Sequence, residues 1–515
     1  MGLYDYIKVA VRKRIGHCKY YSVYSYTDIL NFIESFEKEH NVDEWTYCGL
    51  KVWPQIRCYI CEHMLLFRKD TFLTKLLLCG FAIYKWLLQL MFSKKNAKIE
   101  LKNDWITNPE FLGEAEILLS DFTKLSSGGK DSRLTAQLKH FEQKKIKMVR
   151  VTTSYWNESS STLSYPSLYY LLAVPPPGDN VQDKDYLQWY GCYQDACRKL
   201  KISASGLLSS LRSIVYNAKR MELALKNSKI RAVFLSIWTA DANYALMIAC
   251  KKLGIPVFDV QHGLIDWNFV YFNYFKGTAD TYDAFPNKIL VWSETTKKRL
   301  IGGSIPKFWL PENIFVCGNY NLIEEQKQLH HTNVEGYNQF KQLLHGKKVV
   351  LFGFSYFTEE KYKALQNLMQ HSDQSTYFLV RFHPLDESIR FYPKRWMHEF
   401  PKVSVDYQHA CTFSVSEVLS LSDVFVSDSS TMFMEALFWG VPGIMYGVSE
   451  ILPVFNNPLH ANTIIQCKNV DDLPRTLTEA YAIPKEKCKK SSEEFFASGI
   501  SSALELKRLS EYISF

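Results

Sequence analysis

The chain has 515 residues, 47% hydrophobic and 22% charged, which excludes a disordered polypeptide and exceeds what one hydrophobic core usually organises. Its formal net charge of +8 is small for that length, so the total gives no ground for a nucleic-acid-binding protein. Twelve cysteines are scattered singly except for Cys58 and Cys61. Without a second pair, or histidines at zinc spacing, they read as reduced thiols.

Residues 1–110 read as a helical extension with no run of alternating strands. Two stretches in it are basic, KVAVRKRIGHCKYY at 8–21 and SKKNAKIELK at 93–102. Between them, TFLTKLLLCGFAIYKWLLQLMF at 71–92 has the length of a membrane span, but Lys75 and Lys85 interrupt it. Each lysine would cost about 2.5–3.5 kcal/mol at the bilayer centre. A buried helix is therefore expected, with an interfacial helix against anionic lipid as the alternative. No apolar leader with a small-residue cleavage site stands at the N-terminus, so no signal peptide is expected. Trp45, Trp53 and Arg57 could line a sugar groove, though packing is the simpler role.

From residue 111 the pattern alternates. EAEILLSDF (114–122) and KIKMVRVTTSY (145–155) read as strands, and a Pro/Gly/Asp-rich loop and a helical stretch near 185–228 follow. RAVFLSIW, ADANYALMIACKKLG and IPVFDVQHG then spell strand, helix and strand, with Gly254 closing the helix. Polar LIEEQKQLHHTNVEGYNQ, near 322–339, reads as a linker. Beyond it KKVVLFGFS, TYFLVRFHP, KVSVDY, DVFVSD, PGIMYG and NTIIQCK supply further strands between helices or loops. Near-continuous Val/Ile/Phe runs suit parallel strands covered on both faces. The expected fold class is α/β, with two tandem doubly wound (Rossmann-like) domains at 111–335 and 340–485 behind a helical extension. Ligands of such domains sit at the carboxyl ends of strands, at topological switch points, and a cleft between two facing domains is the expected reaction site.

Three strand-end loops carry chemistry. In RFHPLD (381–386), proline makes a rigid turn that holds His383 outside the sheet, and Arg381 lies two residues earlier on the same side. Both are phosphate-binding candidates. In DVFVSDSSTMFMEALFWGVPGIMYG (423–447), Ser427, Asp428, Ser429, Ser430 and Thr431 crowd a helix start where one capping residue would suffice. Glu435 lies one turn further on, placed to accept the hydroxyls of a ribose diol. Phosphate donors followed by a diol acceptor describe a nucleotide site. In FDVQHGLIDW (258–267), Gln261, His262 and Gly263 end a strand and Asp266 follows. His262 is the candidate general base, with Asp266 either orienting it or taking the proton. Weaker strand-end candidates are Ser120 and Asp121, Ser355, and Gly318 with Asn319. No Asp-x-Asp or His/Asp/Glu cluster suggests a catalytic metal.

With these loops, roughly residues 230–450 resemble GT-B fold glycosyltransferases of bacterial capsule and lipopolysaccharide biosynthesis. Similar groups are the capsule Kdo transferases, the bacterial sialyltransferases with His-Pro and Ser-Ser motifs, and the CDP-glycerol glycerophosphotransferases. The resemblance implies donor phosphates near His383, Pro384, Ser429 and Ser430, ribose at Glu435, and His262 and Asp266 on the acceptor side with Gln261, Gly263, Asp121 and Asn319. It implies metal-independent chemistry with no cofactor, the donor being a CMP-, UDP- or GDP-linked sugar as substrate. Residues 486–515 would form C-terminal helices crossing back to the N-terminal domain. The acidic base motif of the sialyltransferases is missing from the acceptor half. The expectation is a cytoplasmic transferase, peripheral on the inner face of the bacterial cytoplasmic membrane, moving a sugar onto a glycan or lipid-linked glycan. Polyol-phosphate transfer, nucleotide-sugar epimerisation, or a polysaccharide- or membrane-binding scaffold are the alternatives.

Overall fold

The computed structural model describes residues 24, 26–65, 105–106, 108–121, 134, 141–152, 167–169, 184–263, 265, 271–272, 276–302, 308–329, 335–354, 359–382, 399–400, 403–428, 430–447, 455–497 and 499–514. The apolar stretch at 71–92 lies outside them, as do both basic segments of the extension. No described helix is long and apolar enough to cross a membrane.

The chain divides into two compact units. The first runs through Val291 and takes in Thr296–Cys317 and Ala503–Phe515; the second comprises Trp292–Thr295 and Gly318–Ser502. In the first, helix α1 (Tyr26–Glu39), a hairpin of β1 (Thr46–Tyr47) and β2 (Leu50–Lys51), and helix α2 (Trp53–Leu65) precede the sheet. That sheet is built from β3 (Ile117–Asp121), β4 (Met148–Thr152), β5 (Ser167–Tyr169), β6 (Ala232–Leu235), β7 (Val257–Val260), β8 (Lys288–Val291) and β9 (Ile314–Val316). Around it run α3 (Leu187–Lys199), α4 (Leu207–Lys226), α5 (Asp241–Leu253) and α6 (Glu294–Gly302).

The second unit holds β10 (Lys348–Phe354), β11 (Thr376–Phe382), β12 (Ser404–Asp406), β13 (Val424–Ser427), β14 (Gly443–Tyr446) and β15 (Ile464–Cys467). Its helices are α7 (Tyr320–Leu329), α8 (Glu335–Leu343), α9 (Glu359–Gln370), α10 (Gln408–Thr412), α11 (Val415–Ser420), α12 (Met432–Phe438), α13 (Asn456–His460), α14 (Leu473–Tyr481) and α15 (Lys485–Ser492). A last helix, α16 (Gly499–Ser514), starts in the second unit and finishes in the first.

Strand order is β5-β4-β3-β6-β7-β8-β9 in the first sheet and β12-β11-β10-β13-β14-β15 in the second, with every described pairing in the two sheets parallel. Each is the 3-2-1-4-5-6 order of a doubly wound sheet, the first extended by one strand. The expected fold class, tandem doubly wound units behind a helical segment, is what the chain adopts. The central strands of both sheets are buried on both faces, which is why they read as continuous apolar runs. In the second, Phe352, Phe378, Val380, Val424, Val426 and Ile444 meet Leu365, Leu368 and Leu477 from α9 and α14. On the other face Phe425 meets Phe433 of α12 edge-on, with ring centroids 4.9 Å apart. In the first, Phe234 stacks on Phe258, and Tyr512 of α16 packs against Phe258 and Phe315. Helix α5 is buried continuously from Ala242 to Cys250, an apolar helix with hardly any wet face.

One expectation needs correction, and a second, the packing role of the early tryptophans, holds. The polar stretch at 322–339 is no open linker over its described residues. Helices α7 and α8 occupy most of it, anchored by buried Leu322 on α7 and by Tyr337 and Phe340, one turn apart, on α8. Trp45, Trp53 and Arg57 form no groove either, being 7%, 0% and 0% exposed. Trp45 stacks on Trp189 at 5.4 Å, and Trp189 Nε1–H donates to the Thr46 carbonyl at 2.7 Å. Glu37 accepts from Trp53 Nε1–H at 2.7 Å and from Arg57 at 3.2 Å. Further bonds from Lys51 N–H to Asp283 (2.8 Å) and from Gln55 to the Ala284 carbonyl (3.0 Å) hold this segment to the body of the unit. Cys58 and Cys61 are buried free thiols, and burial pushes both up, Cys61 to about 12.

Candidate functional site

In a doubly wound sheet the chain first builds outward on one side and then returns to start the other. The crevice forms where the two directions part, at the carboxyl ends of the central strands. Here the switch points lie between β3 and β6 in the first unit and between β10 and β13 in the second.

The second switch point gathers the most chemistry. Strand register aligns Gly353 of β10 with Arg381 of β11, and Phe352 with Val426 of β13, so Arg381 and Ser427 end neighbouring rows around Gly353. Gly353 has to be glycine. A Cβ there would lie 2.9 Å from the Phe425 ring. Ser427 is fully buried, and its hydroxyl donates to the Gly353 carbonyl at 2.9 Å. Ser427, expected among the donor-binding hydroxyls, thus ties β13 to β10. Asp428 is ion-paired with Lys361, Nζ to Oδ2 at 2.6 Å, joining the loop after β13 to the first turn of α9. Ser430 Oγ accepts from Met432 N–H at 3.2 Å, and Thr431 is half-buried at the helix start. Helix α12 has seven residues, so the loop's hydroxyls weigh more here than any helix dipole.

Glu435 is 7% exposed on α12. Its carboxylate lies within electrostatic reach of Arg381, as do Glu325 and Glu417. Burial lowers the Arg381 pKa and these carboxylates pull it back, so a charged guanidinium is held beneath the strand ends. Its Nη1 donates to the carbonyls of Ala410 and, at 2.9 Å, Phe413. Arg381 was expected to present its fork to phosphate. In the structure that nitrogen braces α10. His383, Pro384, Ser355 and Ser429 lie outside the described residues.

In the first unit the switch-point end of β3 is braced from below. Ser120 Oγ donates to Asn243 at 2.6 Å, and Asn243 in turn donates to the Ile237 carbonyl, fixing the β6–α5 loop. Asp121 ends β3 opposite Thr152. Gln261 is buried, its backbone N–H donating to Leu290 and its Nε2 to the Gly263 carbonyl, both at 2.9 Å. It therefore sets the turn that presents half-buried His262. Asp266 lies outside the described residues. Asn319, expected at the cleft, is 6% exposed and caps α7 by accepting from Leu322 N–H at 3.4 Å, a structural duty.

Two residues escaped the sequence reading. Asp259, two before Gln261, is fully buried on β7, and burial pushes its carboxyl well above the usual range. Its signal was an Asp inside an apolar run. Lys361 gave no signal, being one lysine among the polar residues of an amphipathic helix. Among the described residues no group of three His, Cys, Asp or Glu is placed to hold a metal ion.

The fold and these loops define an α/β protein of two Rossmann-like units with polar strand-end crevices. The chain matches no protein-family model and no curated protein. Among solved structures it is similar to the Staphylococcus aureus MnaA–UDP co-structure, at 12% identity over 78% of this chain and 97% of that one, TM-score 0.48. It is also similar to UDP-GlcNAc 2-epimerase from Neisseria meningitidis bound to UDP-GlcNAc, at 13% identity over 77% and 100%, TM-score 0.47. A third is the glycotransferase of kitacinnamycin, at 11% identity over 78% and 99%, TM-score 0.47. Residue roles do not transfer at such identities.

Proposed function

We propose that the second unit binds a nucleotide-activated sugar and that the chain transfers this sugar to a glycan or lipid-linked glycan acceptor of a bacterial surface polysaccharide. The observation that carries the reading is positional. The Asp428–Thr431 loop and Glu435 sit at the β10/β13 switch point, where a doubly wound sheet takes its ligand. Ser430 and Thr431 offer hydroxyls to a phosphate, and Glu435 offers a carboxylate to a ribose diol. In sequence, Ser429 lies beside Ser430 and His383 follows β11, and both would add donors.

The acceptor hydroxyl attacks the anomeric carbon of the donor, the bond to the leaving phosphate breaks, and His262 or Asp266 takes the hydroxyl proton. Negative charge then grows on the departing nucleotide. Donors fixed in advance at that position supply the stabilisation that usually contributes most. Attachment to the inner face of the membrane through residues 1–110 belongs to the same proposal.

The test is transfer from CMP-, UDP- and GDP-linked sugars to glycan primers, followed in wild type and in His383→Ala. One donor should support transfer, and the folded variant should lose it. Wild-type turnover by His383→Ala would sink the assignment. Interconversion of a free nucleotide sugar without acceptor would assign epimerisation instead, and phosphorus gained by the product would assign polyol-phosphate transfer.

A further inference from the structure

A diphosphate at the β10/β13 switch point needs a cation, and Arg381 commits Nη1 to the Ala410 and Phe413 carbonyls beneath the strand ends. Lys361 is a second cation close to the loop after β13. It stands in the first turn of α9, after the loop that follows β10, and meets Asp428 in the loop that follows β13. The pair thus joins α9 to the loop after β13. Both side chains are partly covered, 15% and 20% exposed, so their attraction is less screened than that of a surface pair. Asp428 is also followed at once by the hydroxyl loop. A carboxylate next to a phosphate site repels its ligand unless it has another task there.

Resting on the function proposed above, we infer that Lys361 is the cation for the donor's phosphates and that Asp428 is a built-in competitor for it. Two anions contend for one ammonium. A nucleoside diphosphate carries more charge than a carboxylate and presents more oxygens, so it displaces Asp428. A neutral nucleoside or free sugar does not. The pair therefore favours phosphorylated ligands. No bond is made or broken in this step; one ion pair replaces another.

The two partners should respond with opposite signs. Binding of UDP, CDP, GDP and inorganic pyrophosphate to the full chain is measured by isothermal titration at two salt concentrations, in wild type, Lys361→Met, Lys361→Arg and Asp428→Asn. Lys361→Met should weaken diphosphate binding about tenfold or more and flatten its salt dependence, with partial recovery in Lys361→Arg. Asp428→Asn should tighten binding by about threefold or more. A structural brace predicts the reverse for Asp428→Asn, weakened binding in step with Lys361→Met, and that result overturns the inference. So does a Lys361→Met chain that binds like wild type. If Lys361→Met fails to fold, as circular dichroism would show, the sign for Asp428→Asn still decides. Should wild type bind none of the probes, the proposed function falls and this inference with it; binding that the variants leave unchanged removes this inference alone.

Discussion

Ser427 and Glu435 stand eight residues apart in the same loop-and-helix block, yet the structure gives them different work. The Ser427 hydroxyl is buried on the Gly353 carbonyl, so Ser427→Ala removes a bond and leaves that carbonyl short of a partner. A loss of about 1–2 kcal/mol of stability is expected in urea unfolding, with nucleotide affinity unchanged. Glu435→Gln should instead reduce the preference for a ribonucleotide over its 2′-deoxy analogue, measured as a ratio of dissociation constants. A Ser427→Ala chain that stays stable and loses nucleotide, or a Glu435→Gln chain with its preference intact, would contradict this division. The sequence showed the hydroxyl cluster but could not sort it. Whether a serine at a strand end turns inward or outward depends on the neighbouring strand, and here a carbonyl of β10 is the partner that Ser427 finds.

At the scale of elements, the segment from α1 to α2 is held by groups that rarely share a core. Burial pushes the Glu37 carboxyl up to about 7, while Arg57 and the Trp53 indole pull it back. Its folded-state pKa is thus above its ordinary value of 4.5. The folded chain keeps the proton longer than the unfolded chain does, so stability falls as pH rises from 4.5 towards 7 and levels off beyond. Unfolding of the first unit followed across that window should show this slope, and Glu37→Gln should flatten it. An unchanged slope in the variant would place the titration elsewhere. Helical periodicity made these elements partly visible in the sequence, and the alternating runs made the sheets visible. The ion pair was not, because Glu37 and Arg57 meet only once α1 and α2 have packed. Polar composition also misled the reading of 322–339, where a few buried side chains suffice to anchor α7 and α8. Lys361 and Asp428 show the same limit, lying 67 positions apart in sequence and 2.6 Å apart in the fold.

For the whole molecule, chain order separates the two sheets cleanly, but the C-terminus does not stay with the second. Ala503–Phe515 belong to the first unit, where Arg508 lies over the Phe315 ring and donates to the Ile314 carbonyl at 3.2 Å. The first unit is therefore incomplete until residues 503–515 have been made. Stability data on this chain should be read unit by unit, since two compact units need not unfold as one. A measurement with residue resolution suits such a molecule. Amide hydrogen exchange of the full chain, with and without saturating CMP, CDP, UDP or GDP, locates where a nucleotide is held. The account predicts that at least one of the four slows exchange in peptides covering 355–362 and 424–440, the loops that flank the β10/β13 switch point. No protection by any of them, or protection confined to the first unit, would contradict it.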